Sequence, residues 1–134
     1  MRIKKETVGE VVAEASQKMS DPNYSAVLVG GFVQTQSDAS QYVSAHATDV
    51  GGAEGVVTTI FHASLISLCF QRGYGRSVAA LTFDDLDRVS GGDRLENLKN
   101  QQPSVLEYID SNIEVAPMKD VLVLLSLAME SVSR

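Results

Sequence analysis

The stretch AEGVVTTIFHASLISLCFQR, Ala53 to Arg72, carries the strongest hydrophobic pattern in the chain. Its apolar residues include Val56, Val57, Ile60, Phe61, Leu65 and Ile66, then the run Leu68-Cys69-Phe70. On a helix they cover most of the circumference, and the remaining positions are largely Thr and Ser rather than charged residues. A helix that is apolar nearly all round is a buried one. Gly73 follows as a candidate C-cap, where a left-handed residue ends a helix. The stretch therefore predicts a central helix over 53–72 with the rest of the chain packed around it. Its β-branched start, Val56-Val57-Thr58-Thr59-Ile60, also suits a strand.

Helix signals flank this stretch on both sides. Thr7-Val8-Gly9-Glu10 has the form of a capping box, and Val8, Val11, Val12, Ala15 and Met19 follow at helical spacing. This predicts a first helix from Thr7 to near Ser20, ended ahead of Pro22. Asp21-Pro22 opens a second, with Asp as N-cap and Pro preset for the first helical position. Tyr24, Leu28, Phe32, Thr35, Ala39, Tyr42, Val43 and His46 lie near one face of it, with a break near Ser37-Asp38. Gly30-Gly31 interrupts the pattern at a cost of about 2 kcal/mol against alanine. These glycines would let another helix approach closely. The alternative is an α+β fold with a small hairpin over 26–35, its strands paired around a Gly-Gly turn.

Asp49-Val50-Gly51-Gly52 reads as a loop. Downstream, a short helix starts near Ser77 or Thr82, where Thr82-Phe83-Asp84-Asp85 has a capping form, and ends at Ser90-Gly91-Gly92; Asp93 caps the next. Pro103 starts another, and the last runs from Met118 to about Ser131 after a break at Ala116-Pro117. The expected architecture is all-α: a compact bundle of about six helices around the 53–72 helix. No repeat or long linker divides the chain, so one helical domain spans 1–134.

Composition narrows the function classes. The chain has 134 residues, 44% hydrophobic and 21% charged, which excludes a disordered, collagen-like or disulfide-scaffold protein. Its 11 basic and 17 acidic residues give a net charge of −6. Nucleic-acid affinity rests on clustered Lys and Arg, and here they are scattered, so no nucleic-acid partner is expected. The lone thiol, Cys69, fits a reducing compartment. Met1 to Glu6 is charged and has no apolar run after it, and no uninterrupted apolar run has membrane-spanning length; the nearest is Val121 to Met129. The expectation is a cytoplasmic protein with no membrane partner.

Chemistry-bearing patterns are sparse. His62 and Cys69 share a helix face, but seven residues separate them by about 10 Å along the axis, too far for a Cys–His hydrogen bond. His46, Asp49, His62, Asp84, Asp85 and Asp87 follow no metal-ligand spacing, and Asp84 and Asp85 suit helix capping. No cofactor or catalytic motif is present, and no metal is expected. The segment Arg72-Gly73-Tyr74-Gly75-Arg76-Ser77 is the one candidate ligand site. Arg72, Tyr74, Arg76 and Ser77 offer two guanidinium groups, a phenol and a hydroxyl to an anion held against the next helix.

The final helix is apolar on more than one side, so it either lies deep in the monomer or meets another chain. Met118, Val121, Leu122, Leu125 and Met129 form one stripe, and Leu124 lies on a second apolar side. These six residues are candidate interface positions, because obligate interfaces resemble a domain core cut in half. The sequence thus points to a small acidic helical protein that acts by protein–protein contact, as an oligomeric adaptor or regulator, without catalysis. The alternatives are an anion-binding or enzymatic domain built on Arg72–Ser77, and an acidic inhibitor that occupies a nucleic-acid site on a basic partner.

Overall fold

The deepest burial falls on the C-terminal helix, and the other elements are arranged to cover it. The structure, a computed structural model, describes all of Met1–Arg134. It has nine helices and no strand: α1 (Lys5–Lys18), α2 (Tyr24–Thr35), α3 (Ser37–Ala45), α4 (Ala47–Val50), α5 (Gly52–Tyr74), α6 (Phe83–Arg88), α7 (Arg94–Gln101), α8 (Pro103–Asn112) and α9 (Ala116–Ser133). The all-α expectation holds. The hairpin over 26–35 does not form, because α2 runs helically straight through Gly30-Gly31.

The count of about six helices is too low, for local reasons. The predicted second helix divides at Gln36, whose backbone (φ −127, ψ 57) is not helical. The loop expected over Asp49–Gly52 shrinks to left-handed Gly51, between the single helical turn α4, which reaches Val50, and α5, which starts at Gly52. The first helix starts at Lys5 rather than Thr7, and Thr7 sits in the first turn without capping it. The cause is the preceding segment: Ile3 is buried, and its N–H donates to the Gln102 side chain at 2.7 Å. With residues 1–4 fixed there, the Lys4 carbonyl takes the first helical bonds, from Thr7 and Val8. The central helix runs past Gly73 to Tyr74 and is capped by Gly75 at φ 76. Gly73 instead makes room for Ile3, since a β-carbon there would stand 2.8 Å from the Ile3 side chain.

Ten consecutive residues of α9, Val121–Glu130, are buried. α4, α5, α6, α7 and α8 surround it. α5 is its longest neighbour and also carries α1, α2 and α3 on its other side. The central element is therefore a pair, with α9 enclosed and α5 leaving Val57, Thr58 and Gln71 exposed. α5 is long and apolar enough to cross a membrane by length and composition; here it is the core helix. Polar side chains within the pair bond to their own backbone. Thr59 donates to the Gly55 carbonyl at 2.7 Å, Ser64 to Ile60 at 2.8 Å and Ser126 to Leu122 at 2.7 Å. The accessible surface of 7020 Å² is close to the ~6,800 Å² that size scaling gives a compact monomer.

Two buried glutamines close the fold. Gln36 Nε2 donates to the Ala79 carbonyl at 3.0 Å, and its Oε1 accepts from the Leu81 N–H at 2.7 Å. Gln102 Nε2 donates to the Met1 carbonyl at 3.0 Å, and its Oε1 accepts from the Ile3 N–H at 2.7 Å. Each amide sits at a helix–helix break and pairs with residues n and n+2 of an extended segment, as a neighbouring strand would. We expect Gln36→Ala to leave the Ala79 and Leu81 backbone groups unpaired and to cost about 1–3 kcal/mol for each group that stays buried, read as a lower midpoint in urea unfolding. Gly55→Ala is a sharper test of packing. Its β-carbon would fall 1.9 Å from the Val50 carbonyl oxygen, so the α4–α5 corner has to move. A loss of ~1–3 kcal/mol or more is expected by calorimetry.

Candidate functional site

The Arg72–Ser77 segment is where the sequence placed its anion site. The structure gives its charged and phenolic groups internal partners. Arg72 pairs with Glu14 of α1. That guanidinium bond, reinforced by its charge, holds the Glu14 carboxyl below its usual range. Tyr74 donates to Glu130 at 2.7 Å. Burial first, and then the Glu130 bond, push the Tyr74 phenol up to about 12. Arg76 donates to the carbonyls of Ser133 and Arg134 at the end of α9, where the helix dipole is negative. Ser77 is exposed and lies on a non-helical stretch. The next helix starts only after Thr82, so no helix N-terminus faces the two arginines. None of the four lines a main cavity; Arg72, Tyr74 and Arg76 fasten α1 and the end of α9 to the end of α5, and Ser77 has no partner.

The six candidate interface residues are Met118, Val121, Leu122, Leu124, Leu125 and Met129. All are buried within the monomer. The second apolar side of α9 is covered by this chain's own α6, α7 and α8. A contact with another protein has to be built from other surfaces.

Thr82 and Asp85 form a reciprocal capping box at 2.9 and 3.1 Å, and Asp93 accepts from the Glu96 N–H at 3.1 Å. Asp84 is exposed in the same first turn of α6. His46 Nδ1 lies 2.8 Å from the Tyr42 carbonyl. No three His, Cys, Asp or Glu side chains come together as a metal's ligands would. Cys69 is buried, and burial pushes its thiol up to about 12 against the opposing charge of Arg72. It is therefore protonated at neutral pH and is no activated nucleophile.

His62 has a partner that spacing could not reveal. Its Nδ1 lies 2.7 Å from the Tyr108 hydroxyl, 46 residues away on α8. Burial lowers the imidazole's pKa and raises the phenol's. Both groups are thus neutral at pH 7, and the phenol, which has no other hydrogen-bond partner in the protein, donates to Nδ1. The imidazole proton then sits on Nε2. The pair stands where α1, α5 and α8 meet, on the wall of a cavity of about 160 Å³. A second cavity of about 330 Å³ runs on between α1 and α8 and shares Val12, Tyr108 and Asn112 with the first.

A different kind of surface lies across α2. Only Phe32 of this helix is buried, while Val27 is 71% and Val33 44% exposed. A groove of about 300 Å³ separates it from α5, lined by Val27, Leu28, Gly31 and Phe32 against Ser64 and Leu68.

Compared with protein-family models, curated proteins and solved structures, the chain matches none. Function therefore has to be argued from these surfaces. Three buried polar positions that hold the fold together carry little signal in the sequence. Gln36 and Gln102 look like ordinary polar residues, and the only signal is their place at the junction of two helical patterns. Glu130 was detectable as a charge inside an apolar run. It accepts from Tyr74, Gln102 and Arg134.

The His62 environment sets a pH dependence. The folded chain holds this imidazole below its ordinary value of about 6.5. The unfolded chain takes up a proton there first, so stability falls as pH drops through that value. Urea unfolding of wild type and His62→Phe between about pH 7 and pH 5 should show the steeper loss in wild type. Equal slopes would mean that His62 is as basic in the folded chain as in the unfolded one.

Proposed function

We propose that this chain acts by protein–protein contact, without catalysis, and that its first partner is a second copy of itself docked along α2. The observation that carries the reading is an uncharged helix whose outer face has no internal cover. α2 is the one helix of the nine without a charged residue. Two copies of a chain of net charge −6 repel each other, and the repulsion is least where the surface is neutral. The exposed side of α2 also carries Gly30 and Gly31, and a β-carbon at either would meet nothing within 4 Å. Two glycines in a helix cost about 2 kcal/mol against alanine. Inside the monomer nothing uses the room they leave. A second α2 crossing at Gly30-Gly31 would, because only there can two helix backbones come close with no side chain between them.

Size sets the strength. Twelve helical residues span about 18 Å. A contact along one such helix stays below the ~800 Å² per partner of a standard interface. A weak, concentration-dependent dimer follows, as suits an adaptor or regulator that exchanges its own copy for another chain. The buried single thiol and the acidic surface suit a cytoplasmic setting for it.

Sedimentation velocity over a concentration series tests this. Wild type should pass from 14.4 kDa towards twice that mass as concentration rises. Val27→Asp and Gly31→Leu should both stay monomeric with unchanged helical circular dichroism. A wild type that is monomeric at the highest attainable concentration, or variants that associate equally well, would overturn the reading.

A further inference from the structure

We propose that the groove between α1 and α8, ending at His62, is a binding site for a small molecule with an apolar body and a terminal oxygen acceptor, either carboxylate or carbonyl. This site lies apart from α2 and stands independently of the self-association proposed there. The groove follows α1 from Lys5 to Met19, roughly 20 Å at 1.5 Å per residue. Its two cavities, of about 330 and 160 Å³, share the wall formed by Val12, Tyr108 and Asn112. Together they reach the range of small-ligand sites, which are mostly apolar with a few placed polar groups.

Three features define the ligand. Val12 and Tyr108 run through both cavities and Phe61 and Leu65 line the part beside His62, while the α8 wall of the larger cavity also carries Ser104, Glu107 and Ser111. Beside the smaller cavity, Tyr108 engages Nδ1 of His62 and leaves the imidazole proton on Nε2. Nε2 has no hydrogen-bond partner within the protein and is not fully buried, and His62 lines this cavity. A free imidazole N–H beside a largely apolar groove suits an acceptor oxygen on an apolar ligand. At the outer mouth the Lys5–Glu107 pair, 3.3 Å apart and largely exposed, rims the channel without filling it.

Gly9 adds a further feature. It lies within α1 on the groove wall, and a β-carbon there would meet nothing within 4 Å. A helical glycine costs about 0.8–1 kcal/mol against alanine. No turn, close contact or positive φ in this chain requires it at this position. What its missing side chain does is keep the channel open.

The test uses octanoate and octan-2-one as probes, followed by amide shifts in ¹H–¹⁵N spectra of the full chain. Binding of either should move resonances along α1, around His62 and along α8, and leave α2 and α6 unmoved. Octanoate alone would assign the head as a carboxylate; both would assign it as any carbonyl oxygen. Gly9→Leu, which fills the channel and improves helix propensity, should abolish the shifts while the melting temperature holds or rises. His62→Phe keeps the ring and removes the donor, and should weaken binding about tenfold, the worth of one hydrogen bond. No shift with either probe, shifts spread over the whole surface, or unchanged binding by Gly9→Leu would overturn the assignment.

Discussion

The fold depends on the exclusion of water from α9. Ten residues in succession, Val121 to Glu130, are out of solvent, so this helix cannot lie on a surface and needs cover on every side. α5 covers one side over its length. The remaining sides are closed by pieces no longer than ten residues: α4, α6, α7 and α8. Short helices can wrap a cylinder because each break lets the chain change direction, and the Pro, Gly and Asp residues between them supply the breaks. The same enclosure explains the one charge in the run. Glu130 cannot reach water, so the fold brings the Tyr74 phenol, the Gln102 amide and the Arg134 guanidinium to it. A buried carboxylate is tolerated when it is fully hydrogen-bonded.

The extended segments are held by a device usually supplied by a sheet. Residues 1–4 and 77–82 are not helical, and Ile3 and Leu81 are both buried. Their backbone groups need partners, and no strand is available to give them. Gln36 and Gln102 take the strand's place, each presenting one donor and one acceptor at the spacing of an extended chain. Both occupy a break between two helices, where the backbone turns aside and frees the side chain to reach across the core. Gln102 also touches Glu130, so the start of the chain, the α7–α8 break and the end of α9 are joined by one polar network. Cooperative networks of this kind fix a unique arrangement when every member is satisfied.

Glycine marks two opposite situations in this molecule. Gly55 and Gly73 lie against neighbouring atoms that a side chain would strike, the Val50 carbonyl and the Ile3 side chain. Gly9, Gly30 and Gly31 lie within helices in open space. The first pair is explained by the monomer. The second group weakens its own helices without improving any internal contact, and it falls on the two surfaces, the α1–α8 groove and the face of α2, that are apolar and uncovered. The dipeptide Gly30-Gly31 was visible in the sequence as a place for close helix approach. That no helix of the same chain makes the approach is a tertiary fact, and it redirects the inference from internal packing to external contact.

The sequence by itself determined that the protein is helical, where most of its helices lie, and how several of them are capped. Those properties come from periodicity, Pro and Asp placement and side-chain propensity, all of which act within a few residues. The capping box at Thr82–Asp85, the Asp93 cap and the Pro103 start could be read for that reason. Only the tertiary structure decided which apolar helix is enclosed, because Ala53–Arg72 and Met118–Ser131 are both apolar on more than one side. It also decided what the polar groups do. Arg72, Tyr74 and Arg76 lie within five residues and look like a site, yet they face Glu14, Glu130 and the end of α9. His62 and Tyr108, unconnected in the sequence, become a hydrogen-bonded pair at a cavity wall. A side chain's chemistry is set by what stands against it, and in a helical fold that neighbour is usually contributed by a segment dozens of residues away.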